Sequence, residues 1–554
     1  MSTGADRIVE TFDRLGVSVA FGLPGIHNLA IWRALSRSKI RLIGVRHEQT
    51  AVYAADGWAR TTGDLGVALV TTGPGAANTV AATGEAWASG SPAVVLATDI
   101  PSHLRRPDTY RGVLHESRDQ AAMFAPVVKR ATTATDPESV PADLLAAADL
   151  ALAPPSGPVY LGIPTDYLSA PVPPSNGFPS QAPPRLPDES RLQAAVDLLR
   201  TTRAPLICAG GGAVKAGAGA AVTALAERLA APVVMSYAAK GLLPPDHPCA
   251  VPATLQAPEV GALWDDADLV IAIGTDLDGI TTQNWAMPNP PRLLVINVDE
   301  RDGAKNYPPD LVLVGDAARV TDLLSERIPG AAEVEPTRQR LEQVRRALRD
   351  AISDDESDAL SFLDAMAELV PDDANLMADM CIPGYWLAGF HLASRPRAFA
   401  YPMWGTLGFA PPASIGAAAG GDRTICVCGD GGFLFACGEL ATLAQERLPV
   451  TVIVVDDGGY GMLRFDQVEA GAEPFGVDLE TPDFVALAKS FGLPAFRAEG
   501  FGETFRRRIG DCLRTDGPSV LVVDAQLRPP PNTSPRWYRR QRGDPSPVRS
   551  QGEP

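Results

Sequence analysis

The sequence predicts an α/β protein built from three doubly wound, parallel-sheet domains. Three observations carry this. At 554 residues the chain is too long for a single hydrophobic core, since domains commonly run about 100–200 residues. Short apolar runs alternate with helical stretches almost throughout, the pattern of parallel α/β layers. A proline-rich stretch at 171–187, PVPPSNGFPSQAPPRLP, can hold neither a helix nor a sheet ladder, so it reads as a linker.

The elements follow in order. The opening residues, MSTGADRIVETFDRLG, form an amphipathic helix without a basic start and apolar core, so no signal peptide is expected. Residues 66–72 (GVALVTT), 93–98 (AVVLAT) and 158–163 (PVYLGI) read as buried strands, with a helix at 48–60 (EQTAVYAADGWAR). These define a first domain, 1–172. A middle domain, 188–332, holds PLICAGGG (205–212), PVVMSY (232–237), ADLVIAIGT (267–275) and RLLVINVD (292–299). The glycines at 210–212 follow a strand but lack the G-x-G-x-x-G spacing of a dinucleotide fingerprint. A charged helix at 333–357 connects to a third domain, 358–528, and the Pro- and Arg-rich tail at 529–554 is expected to be poorly ordered.

Composition removes several classes of function. The net charge of −18 argues against a nucleic-acid binder, which usually needs a basic face. No apolar run reaches the ~18 residues of a membrane span. A cytoplasmic protein is expected. Of 7 cysteines, Cys426 and Cys428 are two apart in an apolar run and share a strand face, as core residues in a reducing compartment do.

The most informative stretch is 424–461, TICVCGDGGFLFACGELATLAQERLPVTVIVVDDGGYG, which reads strand, turn, helix, strand. Asp430 follows the first strand and Asp457 ends the second. A βαβ unit brings both to the carboxyl edge of one sheet, where open α/β sheets bind ligands. Gly429, Gly431 and Gly432 let the backbone approach an anion, and the following helix would aim its N-terminal amides there. Mg²⁺ takes oxygen ligands in an octahedron, often one or two carboxylates plus phosphate oxygens.

GDGG followed by DDGGYG resembles the thiamine-diphosphate motif of the acetolactate synthase and pyruvate decarboxylase superfamily. The resemblance implies thiamine diphosphate and Mg²⁺ as cofactors and the three-domain fold of that family. It makes Asp430, Asp457 and the Gly459 carbonyl metal ligands, with Tyr460 and Gly461 beside the cofactor. The family usually has Asn-Asn where this chain has Asp456-Asp457, which adds negative charge beside the diphosphate.

A second region carries the resemblance. RHEQ, AADGWAR and TTGPGAAN (71–78) match the family's N-terminal cofactor-activating domain. By that match Glu48 bonds the pyrimidine ring and promotes its imino tautomer, a task that burial would assist, and Gly73 lies against the cofactor. PMWGTLGFAPPASIGAAAG (402–420) resembles the segment that precedes the diphosphate motif. It implies that Gly405 offers its carbonyl to the pyrimidine amine and that Leu407 wedges the cofactor into a bent shape. The family places Glu48 and Asp430 of one site on different subunits, so a homodimer or homotetramer with sites between subunits is expected.

Substrate-side residues follow from the same likeness. His27, in FGLPGIHNL, corresponds to a carboligase histidine facing the reacting carbonyl. Gln120 corresponds to a glutamine that contacts the cofactor–substrate adduct. His115, in RGVLHES, lies near the place of a decarboxylase His pair and resembles guanidino-oxoacid decarboxylases. In GMLRFDQ (461–467), Met462 is expected to pack on substrate and Arg464 to face a carboxylate or to be a solvated helix residue. Leu463 stands where pyruvate-decarboxylase-type enzymes have a proton-donating Glu. GTDLDG (274–279) has Asp276 where FAD-binding relatives have Arg, so FAD is possible but not expected.

The leading expectation is an acetolactate-synthase-like reaction: a 2-oxo acid is decarboxylated and the resulting enamine is ligated to an acceptor carbonyl of a second small molecule. Alternatives are a non-oxidative 2-oxo acid decarboxylase releasing an aldehyde, a benzaldehyde-lyase-like carboligase, and a non-catalytic cofactor-binding scaffold, whose one support is Asp457.

Overall fold

The computed structural model describes residues 2–106, 109–173, 185–330 and 332–531. Most of the expected linker and nearly all of the expected tail lie outside the described residues.

Among the described residues seventeen strands form three wholly parallel sheets. The first contains β1 (Val19–Gly22), β2 (Arg41–Gly44), β3 (Gly66–Val70), β4 (Ala93–Asp99), β5 (Ala131–Thr133) and β6 (Val159–Pro164), in the order β2-β1-β3-β4-β6-β5. The second contains β7 (Pro205–Ala209), β8 (Val233–Met235), β9 (Leu269–Ile273), β10 (Leu293–Asn297) and β11 (Leu311–Val314), ordered β11-β10-β9-β7-β8. The third contains β12 (Asn375–Ala378), β13 (Phe399–Ala400), β14 (Thr424–Gly429), β15 (Val450–Asp456), β16 (Ala495–Glu499) and β17 (Ser519–Asp524), ordered β13-β12-β14-β15-β17-β16. The apolar strands are buried along nearly their whole length, as sheets covered on both faces require.

The chain divides into two units, one carrying the first and third sheets and the other the second. The expected boundary at 358 shifts: residues 358–367 and Tyr385–Pro396 group with the middle sheet. In the first unit one continuous core joins inward residues of the first sheet (Phe21, Ala68, Val70, Val95) to those of the third (Cys426, Cys428, Val452, Val454). Cys426 and Cys428 thus share a buried face, as their spacing predicts.

Two helices, Glu48–Thr62 and Ala410–Ala417, lie within that core. Their alanines and glycines let the backbones touch. A Cβ on Gly57 would overlap the Ala413 carbonyl, and one on Gly416 the Ala54 carbonyl. Tyr53 and Phe409 meet edge to face beside them, ring centroids 5.7 Å apart. The N-terminal helix, Gly4–Arg14, is closed by a Thr3/Asp6 capping box. Among the described residues no helix is long and apolar enough to cross a membrane.

Candidate active site

Two groups of polar residues gather at carboxyl ends of parallel strands, each beside a point where the strand order reverses. In doubly wound sheets such a point opens a crevice for ligands.

The first group lies on the first sheet. The loop after β1 carries His27, the junction after β2 carries Glu48, and the turn after β3 carries Thr71 and Gly73. Glu48 opens its helix because His47, extended, caps it by accepting the Gln49 N–H. Asn78 donates to Glu48 Oε2 at 3.0 Å, and Glu48 is half-buried in the chain. Gly73 has φ +64, and a Cβ there would strike the His115 carbonyl, so the turn requires glycine. The His27 and His115 rings stand edge to face, 5.2 Å apart, and the Nδ1 atoms of both are buried without a hydrogen-bond partner among the described residues. Thr71 Oγ1 is a third such atom, and Thr71 also packs against Gly25 and Gly75. Three buried polar atoms without protein partners are groups that a bound molecule would satisfy. Burial, and secondarily His115, holds His27 below its ordinary pKa, so the imidazole is neutral at pH 7.

Gln120 takes a supporting place. It is buried, accepts the Gly73 N–H at 2.6 Å, and donates to the Thr98 carbonyl and the Tyr160 hydroxyl. Both amide hydrogens are used inside the protein, so it fixes the Gly73 turn rather than offering donors to a substrate.

The second group lies on the third sheet. Strands β14 and β15 pair with Gly429 opposite Val455, which brings Asp430 and Asp457 to one edge as the spacing predicts. Both Asp430 oxygens and Asp457 Oδ1 are buried without a hydrogen-bond partner among the described residues. Burial, with Asp457 adding to it, pushes the Asp430 carboxyl up to about 7. Burial also pushes Asp457 up to about 6, against the pull of Arg464. A Cβ on Gly461 would fall on the Asp457 carboxylate, so that position must be bare. Hard oxygen atoms suit a divalent cation, which Asp430, Asp457 and the Gly459 carbonyl could hold.

The helix after Asp430 is shorter than expected. It spans Asp430–Leu434 and gives way to a 3-10 turn, Cys437–Glu439, before Leu440–Glu446. The anion cradle is therefore the glycine backbone of 429–432 more than a long helix end. Arg464 is also committed: it bonds Asp478 and the carbonyls of Asp457 and Gly458, tying the metal loop rather than facing a substrate. Met462 is half-buried, Leu463 is exposed, and the helix Gly461–Glu469 buries none of its residues fully. In the middle domain Asp276 pairs with Lys305 at 2.7 Å.

The sequence reading missed four buried polar residues around these groups. Asp379, after β12, accepts the N–H groups of Gly408 and Phe409, and burial pushes it up to about 6. Glu439 Oε1 accepts the N–H groups of Arg46 and His47, directly before Glu48. The others are Thr71 and Glu85. Each acid is a charged residue inside an otherwise apolar, small-residue run, the one signal that could have marked it.

The family model "Thiamine pyrophosphate enzyme, N-terminal TPP binding domain" matches residues 2–123, the central-domain model 192–324, and the C-terminal TPP-binding model 381–523. A probable 2-ketoarginine decarboxylase, AruI, of Pseudomonas aeruginosa is 35% identical over 512 residues, covering 91% of each chain. A probable acetolactate synthase large subunit of Methanocaldococcus jannaschii is 31% identical over 547 residues, 94% of this chain and 91% of that one. A solved Mycobacterium smegmatis structure, described as of a thiamin diphosphate-dependent enzyme, shares the fold with TM-score 0.78 at 24% identity over 95% of this chain and all of its own. The chain belongs to the thiamine pyrophosphate enzyme family.

Proposed function

We propose that this enzyme is Mg²⁺-dependent, removes the carboxyl group of a 2-oxo acid, and releases the remainder as an aldehyde. The observation that carries the reading is the His27–His115 pair, with both Nδ1 atoms unpartnered among the described residues and His115 against Gly73. Thiamine diphosphate, when bound, supplies a nucleophilic ring carbon and a sink for the electrons left by departing CO₂. Asp430, Asp457 and the Gly459 carbonyl would hold Mg²⁺ at the diphosphate end of the site. Gly405 and Leu407 would hold the pyrimidine ring, and Glu48 would share a proton with it. His27 and His115 would pass a proton taken from solvent to the substrate side of the site. That supplies the donor which the Leu463 position lacks.

Within one chain Glu48 has Asn78 and Gly75 as neighbours, whereas Asp430 faces Asp457 and Gly459. We propose that a second copy brings the two groups together, in a homodimer or homotetramer.

Carboligation to a second carbonyl compound is the alternative, favoured by the exposed apolar Leu463 and by the acetolactate synthases among the relatives. Product analysis separates the two. The enzyme is incubated with thiamine diphosphate, Mg²⁺ and a panel of 2-oxo acids that includes pyruvate and 2-ketoarginine, and products are read by mass spectrometry. Free aldehyde supports the proposal. Acetolactate or another 2-hydroxy-3-oxo acid as the main product overturns it in favour of ligation.

A further inference from the structure

The segment Met403–Phe409 is bare loop, yet it carries Gly405 and Leu407. Glycine at 405 sits at φ +83 and Trp404 beside it is 54% exposed, so the first half of the segment is less deeply packed than Phe409, which is buried in the core. Its conformation is imposed from both sides by buried carboxylates. Asp379 takes the N–H groups of Gly408 and Phe409. Glu85, 0% exposed on the helix Val80–Ala88, takes those of Met403 and Trp404.

Glu85 Oε1 accepts the Met403 N–H at 2.6 Å, and Oε2 accepts the Trp404 N–H and the Thr406 hydroxyl, each at 3.0 Å. The adjacent Gly84 has no side chain because the Trp404 indole occupies the space where a Cβ would stand. The carboxylate is itself fixed by Arg60, whose guanidinium reaches Glu85 at 2.8 Å and Asp56 at 2.6 Å and lies over the Phe409 ring. A buried carboxylate with this many charge-assisted bonds has one orientation, and the loop it grips inherits that orientation.

We infer that Glu85 is a positioning residue for the cofactor: its carboxylate sets the backbone of Met403–Thr406 and so places Gly405 and Leu407 against the aminopyrimidine ring. This rests on the proposed cofactor site. Glu85 comes from the first sheet's domain and the loop from the third sheet's, so the domain that carries Glu48 also shapes the other half of the cofactor cradle. In Glu85→Gln an NH₂ group must face the N–H donors on one side. In Thr406→Val the grip loses one bond while Arg60, Asp56 and Glu85 keep theirs.

The test measures two quantities in both variants: thiamine diphosphate affinity at saturating Mg²⁺, from tryptophan fluorescence, and hydrogen–deuterium exchange at C2 of the bound thiazolium ring. The exchange rate reports cofactor alignment and does not move when only global stability changes. At least one of them is expected to fall by about tenfold or more in a variant that stays folded, as loss of a charge-assisted bond implies. A folded variant that matches wild type in both overturns the inference. If Glu85→Gln does not fold, Thr406→Val decides alone. Failure of the wild-type enzyme to bind thiamine diphosphate would instead sink the reading of the site itself.

Discussion

Metal binding by this enzyme should depend on pH far more than in a site whose ligands are already ionised, and Asp457→Asn should flatten that dependence. Without metal, Asp430 holds its proton to about pH 7 and Asp457 to about pH 6. Mg²⁺ binds the ionised oxygens, so protons must leave as it enters. For two raised carboxyls, affinity relative to its high-pH plateau falls about 2-fold at pH 7, about 20-fold at pH 6 and about 1000-fold at pH 5. The sign follows from linkage. Each folded pKa lies above its unfolded value, so in the apo protein these groups destabilise the fold as pH rises from about 4 through 7, and the metal reverses that. In Asp457→Asn one titrating group is gone, and so is a charge that adds to burial in raising Asp430. Affinity should then fall by no more than about 10-fold per pH unit on the acid side, with the fall starting below pH 7. The assay is calorimetric Mg²⁺ titration at saturating thiamine diphosphate between pH 5.5 and 8, in two buffers of different ionisation enthalpy. The cofactor's own phosphate ionisation is common to both proteins, so the difference between them isolates the aspartates. Identical pH dependence and identical proton release in wild type and Asp457→Asn would refute the reasoning.

Other expectations are as direct. Glu48→Gln should lower kcat by about 100-fold or more, the usual scale of lost acid–base catalysis, while thiamine diphosphate affinity stays within about 10-fold; equal loss of both would assign Glu48 to binding alone. His115→Asn keeps a side chain that tolerates φ +65 but removes the ring that helps hold His27 below its ordinary pKa. The alkaline limb of the kcat/KM profile, where His27 loses the proton it must deliver, should move to higher pH, and an unmoved limb would remove His27 from the proton path. Gly461→Ala puts a methyl group onto the Asp457 carboxylate, so cofactor-induced stabilisation in a thermal melt should be lost while the apo protein keeps its melting temperature within a few degrees.

What could be read from the sequence follows the range of the interactions. The βαβ stretch around Asp430 and Asp457 is local: strand, glycine turn, helix and strand lie within 424–461, and pairing of β14 with β15 does the rest. His27, Glu48 and Gly73 come from successive loops of one sheet, and each sits in a short glycine- or proline-marked motif. Glu85, Asp379 and Glu439 were not legible because their partners are distant. Glu85 meets residues 403–406 more than 300 positions away, and Glu439 meets Arg46 and His47 almost 400 away. No local pattern says which backbone amides a buried acid will satisfy. Gln120 and Arg464 show the converse difficulty. Their chemistry suits a substrate, but sequence does not reveal that Thr98, Tyr160, Asp478 and nearby carbonyls already use their donors. The broken helix after Asp430 has a similar cause, since Glu439 turns away to bind the strand–helix junction before Glu48.

Subunit complementation tests most directly whether Glu48 of one chain and Asp430 of another grip the same cofactor. Glu48→Gln and Asp430→Asn enzymes, each inactive, are mixed under conditions of subunit exchange. If sites form between chains, every hybrid dimer has one site with both native residues and one with neither, and full exchange restores about a quarter of wild-type activity. If no activity returns although mass spectrometry shows hybrids, both residues act within one chain and the account fails.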